Sequence, residues 1–189
     1  KFGSWMGGDR DGNPNVDHKI TKEVILLSRW EAANLYEKNL TKIIQDLSMH
    51  ECSHKIRKVV GNSQEPYRVY LRPIRSKLKN TQKEIENFLN EKKQLNKNLL
   101  VNSIQEIIDP LTTVYESLCS VKCKALADGE VLDLIRRAYS FGLNLAKLDI
   151  RQEASRHSSL ISKFYKIKTK KSYFNLTEKQ KISFLIKLI

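Results

Sequence analysis

Long apolar runs are missing from this 189-residue sequence, and cysteine is scarce. No apolar run reaches the length of about 18 residues that a membrane-spanning helix needs, and the pattern of a secretory signal peptide is not seen. The three cysteines, Cys52, Cys119 and Cys123, are too few and odd in number for a small disulfide scaffold. Because disulfides are rare in reducing compartments, we expect a cytoplasmic protein with no membrane partner.

The cysteines and histidines also give little support for a metal site. Cys119 and Cys123 are spaced to share one helix face, and His50, Cys52 and His54 alternate along a short stretch. A zinc site is the alternative interpretation, but neither spacing matches the usual pairs of zinc ligands. We therefore expect ordinary helix and loop residues here, and we predict no metal ligand in this chain.

Acidic residues are outnumbered: the sequence has 34 Lys and Arg but 21 Asp and Glu, so its formal net charge is +13. Such an excess favours an anionic partner, for example a nucleic acid, an acidic membrane or a phosphorylated metabolite. The lysines are dispersed, which is more typical of solvated helix faces than of a binding groove. The basic run at residues 163–171 has only Tyr165 and Tyr173 as aromatic neighbours, so we expect a solvated loop and no nucleic-acid partner.

The spacing of apolar residues predicts a mainly α-helical protein. Thr21 is the predicted N-cap of the first helix, and Pro73 is predicted to kink the second helix or to delay its start. Two short strands are expected as well, one on each side of the long helical region. The predicted helices cover about residues 21–49, 67–93, 103–127 and 132–139, followed by C-terminal helices from residue 154.

Glycine is also scarce, yet four of the seven glycines lie near the start of the chain. There the sequence is Phe2-Gly-Ser-Trp-Met-Gly-Gly-Asp-Arg-Asp-Gly-Asn-Pro14, in which Phe2, Trp5 and Met6 fit a short buried strand. The charged loop that follows would present its side chains at the mouth of a pocket, or it is an ordinary surface turn. A calcium loop is excluded, because its sixth position would be Pro14 instead of glycine and its twelfth would be Ile20 instead of glutamate.

A second charged stretch lies nearer the C-terminus. The strand-like run at residues 143–150 is followed by the charged loop Arg151-Gln-Glu, and a helix is predicted from Ala154 onward. A strand, a charged loop and a helix in this order are typical of the functional face of a βα barrel. A structural ion pair of Arg151 with Asp149 or Glu153 is the alternative interpretation.

Both stretches resemble signatures of the phosphoenolpyruvate carboxylase family. The first match covers thirteen consecutive residues from Phe2 to Pro14. The second covers Leu148-Asp-Ile-Arg-Gln-Glu-Ala-Ser-Arg-His157, and the two occur in the order that the family has. The chain departs from the family pattern at Lys147, where arginine is frequent, and at Ala154, where serine is usual.

The resemblance implies a lyase that adds bicarbonate to phosphoenolpyruvate and releases oxaloacetate and phosphate, with Mg²⁺ or Mn²⁺ as cofactor. It further implies carbon dioxide fixation, a supply of oxaloacetate to the tricarboxylic acid cycle, allosteric control, and a cytoplasmic homotetramer. A trianionic substrate of this kind suits bidentate guanidinium groups better than ammonium groups.

The resemblance also implies that residues 1–189 are one helical fragment of a larger α/β barrel enzyme. The sequence begins at Lys1 inside the first motif and stops within an amphipathic pattern, so we expect that both ends are cut. In that enzyme the two strands would belong to the β-barrel at its centre. The expected parts are a strand and glycine-rich loop (1–16), helices (21–142), a strand and substrate-site motif (143–157) and truncated C-terminal helices (154–189).

The family pattern implies roles for individual residues. Arg151 would be catalytic and would contact the phosphate-bearing part of the substrate, and Trp5 would lie near the substrate's methylene group. Arg10 and Gln152 would also bind substrate. Three further residues would shape the loop: Gly7, Gly8 and Asp9.

Other family features are weakly matched or missing. Arg75 lies where plant-type members have an arginine in a sugar-phosphate activator site, although a structural helix-face arginine is the alternative. The Val-His-Pro-Thr motif with the catalytic histidine and the Gly-Arg-Gly-Gly loop do not occur in the sequence, and the family's metal ligands come from later strands. We therefore expect the isolated chain to be inactive and to bind metal weakly. The alternative function is a non-enzymatic basic module that binds nucleic acid or acts as a scaffold.

Overall fold

The computed structural model describes residues 3–11, 13–91 and 94–188, and within them the chain is mainly helical with two short strands. This confirms the fold class expected from the apolar spacing. In the described part, no helix is long and apolar enough to cross a membrane. The regular elements, in chain order, are β1 (Gly3–Ser4), α1 (His18–Asp46), α2 (His54–Val60), α3 (Pro66–Glu91), α4 (Gln105–Ser120), the single turn α5 (Lys124–Leu126), α6 (Leu132–Phe141), β2 (Lys147–Leu148), α7 (Ala154–Thr169) and α8 (Glu178–Ile186).

The hydrophobic core is built around the contact between the two longest helices, α1 and α3. Helices α2 and α4 pack on α3, and α6 joins α4 to α1. Full burial of a leucine or isoleucine side chain contributes about 1.5–3 kcal/mol, so this cluster is the main source of stability. Its largest fully buried side chains are Tyr67, Leu40, Ile43, Ile56, Leu71, Leu78, Ile107, Ile108, Leu111, Leu118 and Leu134.

The first helix begins three residues before the predicted cap, so the prediction of Thr21 as N-cap is wrong. Asp17 caps α1 instead, because its Oδ1 accepts hydrogen bonds from the backbone amides of Lys19 (2.8 Å) and Ile20 (2.9 Å). The hydrogen bond from Ile20 lowers the pKa of the Asp17 carboxyl, as expected for a carboxylate that accepts backbone amides. The hydroxyl of Thr21 is therefore available for contacts outside the cap.

The long helix predicted over residues 103–127 is divided, because the backbone reverses after Ser120. Lys122 has a positive φ of 64°, and the Cys123 amide donates to the Leu118 carbonyl at 2.8 Å. This pattern is a Schellman motif, which ends a helix whatever apolar spacing follows it. Cys123 thus lies outside α4, so it does not share a helix face with Cys119 as the spacing predicted.

Two other predictions about the helices need correction. Helix α3 begins at Pro66 and continues through Pro73, so Pro73 does not delay its start. Helix α2 was not predicted, because it is short and mostly polar and buries only Ile56. It ends at Gly61, whose φ of 62° suits glycine, and this agrees with the turn chemistry of the sequence there.

The two strands pair with each other in parallel, with Gly3 opposite Lys147 and Ser4 opposite Leu148. Both are shorter than predicted. The buried strand expected around Trp5 and Met6 is wrong, because these side chains are 58 % and 77 % exposed and a turn begins there. Phe2, also assigned to that strand, lies outside the described residues.

The C-terminal helices α7 and α8 form a small aromatic cluster. The rings of Tyr165 and Phe184 meet edge to face with centroids 4.8 Å apart, and Tyr173 packs beside both. Thr177 caps α8 through a reciprocal capping box with Gln180.

Truncation of a central core side chain tests this architecture. Leu111→Ala should lower the free energy of unfolding by about 2–5 kcal/mol, because it leaves a cavity in packed surroundings, and Leu111 is 0 % exposed. The matched control Leu160→Ala removes the same atoms at a position that is 67 % exposed, so it should change stability by less than about 0.5 kcal/mol. Urea unfolding of the 189-residue chain, followed by circular dichroism, measures both. Equal losses would contradict the assignment of the core.

Candidate functional site

The parallel strand pair brings the two charged motifs together. The Asp149 amide donates to the Ser4 carbonyl (2.9 Å), the Arg151 amide to the Gly8 carbonyl (2.9 Å), and the Arg10 amide to the Arg151 carbonyl (3.0 Å). The pairing therefore continues beyond the regular strands as a bridge between the two loops. The ends of the two strands therefore lie side by side, each followed by its charged loop.

The loop after β1 contains a tight turn that depends on its glycines. The amides of Gly8 (2.8 Å) and Asp9 (3.0 Å) both donate to the Trp5 carbonyl, and Gly7 has a φ of 75°, which disfavours other residues. A Cβ atom on Gly8 would lie 2.4 Å from the Asp149 carbonyl oxygen. The backbone of the first loop thus approaches the second loop more closely than any side chain would permit.

Arg151 and Trp5 are neighbours. The guanidinium carbon of Arg151 lies 5.1 Å from the centroid of the Trp5 ring, which is within the range of a cation–π interaction. Arg151 forms no ion pair with any described carboxylate, so the alternative of a structural pair with Asp149 or Glu153 does not hold. Its charge is exposed and is free to meet an anion from solution.

Arg10 is held by Thr21, a contact that the sequence did not suggest. The Thr21 Oγ1 atom accepts hydrogen bonds from Nη2 (2.7 Å) and Nε (3.3 Å) of Arg10 and lies 2.8 Å from the Gly7 carbonyl oxygen. Thr21 is only 4 % exposed, and it sits in the first turn of α1. Sequence reasoning missed it because a threonine before an apolar helical pattern is typical of a cap.

The remaining candidates in the two loops make local contacts. Asp9 Oδ1 accepts from the Asp11 amide at 3.4 Å, and Gln152 Oε1 accepts from the Glu153 amide at 3.2 Å. Both side chains are half-buried at the carboxyl ends of the paired strands. They lie beside the two arginines in sequence, but within the described loops neither forms a hydrogen bond with an arginine side chain.

Arg75 has a different environment. On α3, its Nε lies 3.1 Å from Oε1 of Glu37 on α1, and Lys79 lies 3.6 Å from the same carboxylate oxygen. Burial raises the pKa of Glu37, but hydrogen bonds from Thr41 and Arg75 and the charge of Lys79 outweigh it, so the pKa is lowered overall. This ion pair supports the structural interpretation of Arg75 as a residue that joins two helices.

A separate apolar groove of about 630 Å³ runs along the side of the strand pair. It lies between β2 and the N-terminal half of α1, and its floor includes Val24, Ile25 and Leu148. Neither Arg10 nor Arg151 lines it. The charged loops at the strand ends and this groove are therefore different surfaces.

Two arginines lie at the carboxyl ends of adjacent parallel strands. Guanidinium groups donate paired hydrogen bonds to phosphate and carboxylate oxygens, and ligands of parallel α/β proteins gather at this end of the strands. Fold and site thus define a helical protein with a parallel strand pair, whose carboxyl ends carry two arginines that have no carboxylate partner among the described residues.

Comparison with known proteins gives the family. The family model described as phosphoenolpyruvate carboxylase matches residues 1–189, and the chain belongs to this family. It is 43 % identical over 183 residues to the phosphoenolpyruvate carboxylase of Aliivibrio salmonicida, covering 97 % of this chain and 21 % of that protein. Its identity to the enzyme of Hahella chejuensis is 42 % over 187 residues, covering 99 % and 21 %. For the enzyme of Marinomonas sp. it is 46 % over 168 residues, covering 87 % and 19 %. The chain thus spans about one fifth of the length of these relatives.

The close approach at Gly8 gives a prediction about the strand pairing. Gly8→Ala should separate the loops, because its Cβ would collide with the Asp149 carbonyl oxygen. The amide of Arg151, which donates to Gly8, should then exchange its hydrogen at least about tenfold faster, the change that corresponds to a loss of about 1.4 kcal/mol in local stability.

Hydrogen exchange measured by NMR or mass spectrometry reports this change. Gly129→Ala is the matched control, because nothing lies within 4 Å of its Cβ position and its φ is −83°. Unchanged protection of the Arg151 amide in Gly8→Ala would contradict the pairing described here.

Proposed function

We propose that this chain is a section of a phosphoenolpyruvate carboxylase and forms part of its phosphoenolpyruvate pocket. The complete enzyme would add bicarbonate to phosphoenolpyruvate and release oxaloacetate and phosphate. One observation carries the proposal: Arg10 and Arg151 are joined by a backbone hydrogen bond at the ends of two parallel strands, and neither has a carboxylate partner in the described chain.

The electrostatics of the strand ends support an anionic substrate. A guanidinium charge in a structural site is usually paired with a carboxylate. Asp9 and Asp149 lie nearby in sequence but form no ion pair with either arginine in the described part of the chain. A bound phosphate would supply the missing negative charge, and Arg151 would act as the catalytic group that stabilises charge as the phosphoryl oxygens change.

Trp5 would serve the same site in two ways. Its ring holds the Arg151 guanidinium from one side, which restricts the side chain before substrate binds. Because the ring is 58 % exposed here, it also offers an apolar face to the methylene group of phosphoenolpyruvate. Gln152, half-buried beside Arg151, would contribute a polar contact to the substrate.

The rest of the longer polypeptide would complete the pocket. We propose that β1 and β2 are adjacent strands of an α/β barrel, since no third strand among the described residues pairs with either outer edge and an apolar groove runs beside the pair. The fragment would comprise residues 1–189, and the complete enzyme would be a cytoplasmic homotetramer. The sugar-phosphate role of Arg75 is not part of the proposal, because Glu37 already pairs with it.

The metal that the family implies does not fit the residues of this chain. Residues 3–11, 13–91 and 94–188 contain no group of three His, Cys, Asp or Glu side chains that could hold a metal ion. We therefore propose that the ligands of Mg²⁺ or Mn²⁺ belong to other parts of the complete enzyme.

A substitution that keeps the positive charge but removes the paired N–H donors of the guanidinium group tests Arg151. In the complete polypeptide, Arg151→Lys should lower kcat/KM for phosphoenolpyruvate by roughly 100-fold, the usual effect of losing one preorganised donor to developing charge. A coupled spectrophotometric assay of oxaloacetate measures this. Arg72→Lys is the control, because Arg72 is exposed on α3 and should show no more than about a twofold change. An unaffected Arg151→Lys enzyme would contradict the proposal.

The proposed division of the pocket gives a second test. The isolated 189-residue chain should form no detectable oxaloacetate from phosphoenolpyruvate and bicarbonate with Mn²⁺ present, whereas the complete polypeptide should be active. The physical reason is that two arginines bind the anion but supply no general base. Turnover by the isolated chain would show that the reaction needs nothing beyond these residues and would overturn the proposal of an incomplete pocket.

A further inference from the structure

We propose that Thr21 is a positioning residue that orients Arg10 toward the phosphate-bearing ligand. The inference rests on the proposed function, because the ligand it concerns is the one proposed for the strand ends. The Thr21 hydroxyl forms no hydrogen bond with Trp5 or Arg151 in the described structure, so its effect on the site would pass through Arg10 and the glycine turn.

The hydrogen bonds of Arg10 leave one edge of its guanidinium group for a ligand. Arginine has five N–H donors, and Thr21 Oγ1 accepts from Nε at 3.3 Å and from Nη2 at 2.7 Å. These two donors form one edge of the planar group. The second N–H of Nη2 and one N–H of Nη1 form the adjacent edge, which matches two oxygens of a phosphate or carboxylate.

Thr21 is held firmly enough to impose this orientation. It is 4 % exposed, and its hydroxyl lies within hydrogen-bond distance of the Gly7 carbonyl (2.8 Å) and the Asp17 carbonyl (2.9 Å). The hydroxyl donates its single proton to one of these carbonyls, and its lone pairs face Arg10. One buried atom therefore connects the first turn of α1, the tight turn at Gly7 and the guanidinium of Arg10.

The cap at Asp17 explains why threonine is available for this role. If Thr21 capped the helix, its oxygen would accept from backbone amides and could not also accept from two nitrogens of Arg10. Because the Asp17 carboxylate accepts the hydrogen bonds of the Lys19 and Ile20 amides, the Thr21 oxygen is free to face the site. Valine in its place would keep the volume and lose the acceptor, whereas serine would keep the acceptor.

The experiment uses the complete polypeptide with Thr21→Val, Thr21→Ser and a matched control, Thr113→Val. Thr113 is also buried (7 % exposed), and its hydroxyl bonds only the Asp109 carbonyl of its own helix. Thr21→Val should raise KM for phosphoenolpyruvate about tenfold with little change in kcat, the loss expected for one hydrogen bond to a charged group. Thr21→Ser and Thr113→Val should stay within about twofold of the unsubstituted enzyme.

A double-mutant cycle with Arg10→Ala separates positioning from a general loss of structure. If Thr21 acts through Arg10, Thr21→Val should have no further effect on KM once Arg10 is alanine. Additive effects of the two substitutions, an unchanged KM in Thr21→Val, or an equal loss in Thr113→Val would each overturn the inference.

Calorimetric titration with phosphoenolpyruvate distinguishes failure of this inference from failure of the proposed function. An unsubstituted polypeptide that binds and turns over phosphoenolpyruvate, with a Thr21→Val variant that binds equally well, overturns the role of Thr21 alone. An unsubstituted polypeptide that neither binds nor carboxylates phosphoenolpyruvate overturns both. Weaker binding by Thr21→Val, restored in Thr21→Ser, supports the inference by a measurement that does not require catalysis.

Discussion

The parallel pairing of β1 with β2 is the constraint on which the candidate site depends. Each strand has two residues, and a pair of this size is not stable alone in water. Helix α1 supplies the missing support at three points along its length. Its Thr21 bonds the turn after β1, its Ser28 accepts from the Leu145 amide (3.2 Å), and its Tyr36 donates to the Gly142 carbonyl (2.6 Å). The helical core thus determines where the strands meet.

The chemistry of the site follows from what the strand ends lack. On α3, by contrast, two arginines have protein partners: Arg75 pairs with Glu37, and Arg68 donates to the Ile44 carbonyl at 2.8 Å and to Glu65. At the strand ends, Arg151 meets an aromatic face and Arg10 meets a hydroxyl, so both stay positively charged without a neutralising carboxylate. Uncompensated charge that is held in place favours a ligand that brings its own negative charge.

The sequence predicted the location of the site better than its internal arrangement. Glycine spacing and the run of charged residues identified both loops, because such local chemistry does not depend on distant contacts. The burial of Trp5 was predicted wrongly, because an apolar side chain does not by itself show whether the residues that would cover it belong to this chain. Thr21 was misassigned for a related reason. Both Asp17 and Thr21 are good N-cap residues, and only the folded chain fixes the helix start at which Asp17 is the cap. Arg75 needed Glu37, which is 38 residues away in sequence, before its role in joining two helices was visible.

By itself, the sequence determined the helical class, the two loops that carry charge and the family to which the chain belongs. Apolar periodicity and motif spacing are properties of neighbouring residues, so they are readable without coordinates. The tertiary structure alone decided that the strands pair in parallel, that Arg151 lies over Trp5, and that Thr21 holds Arg10. These contacts join residues across the helical core, and they exist because the packing of α1 against α3 and α6 fixes the distance between the two loops.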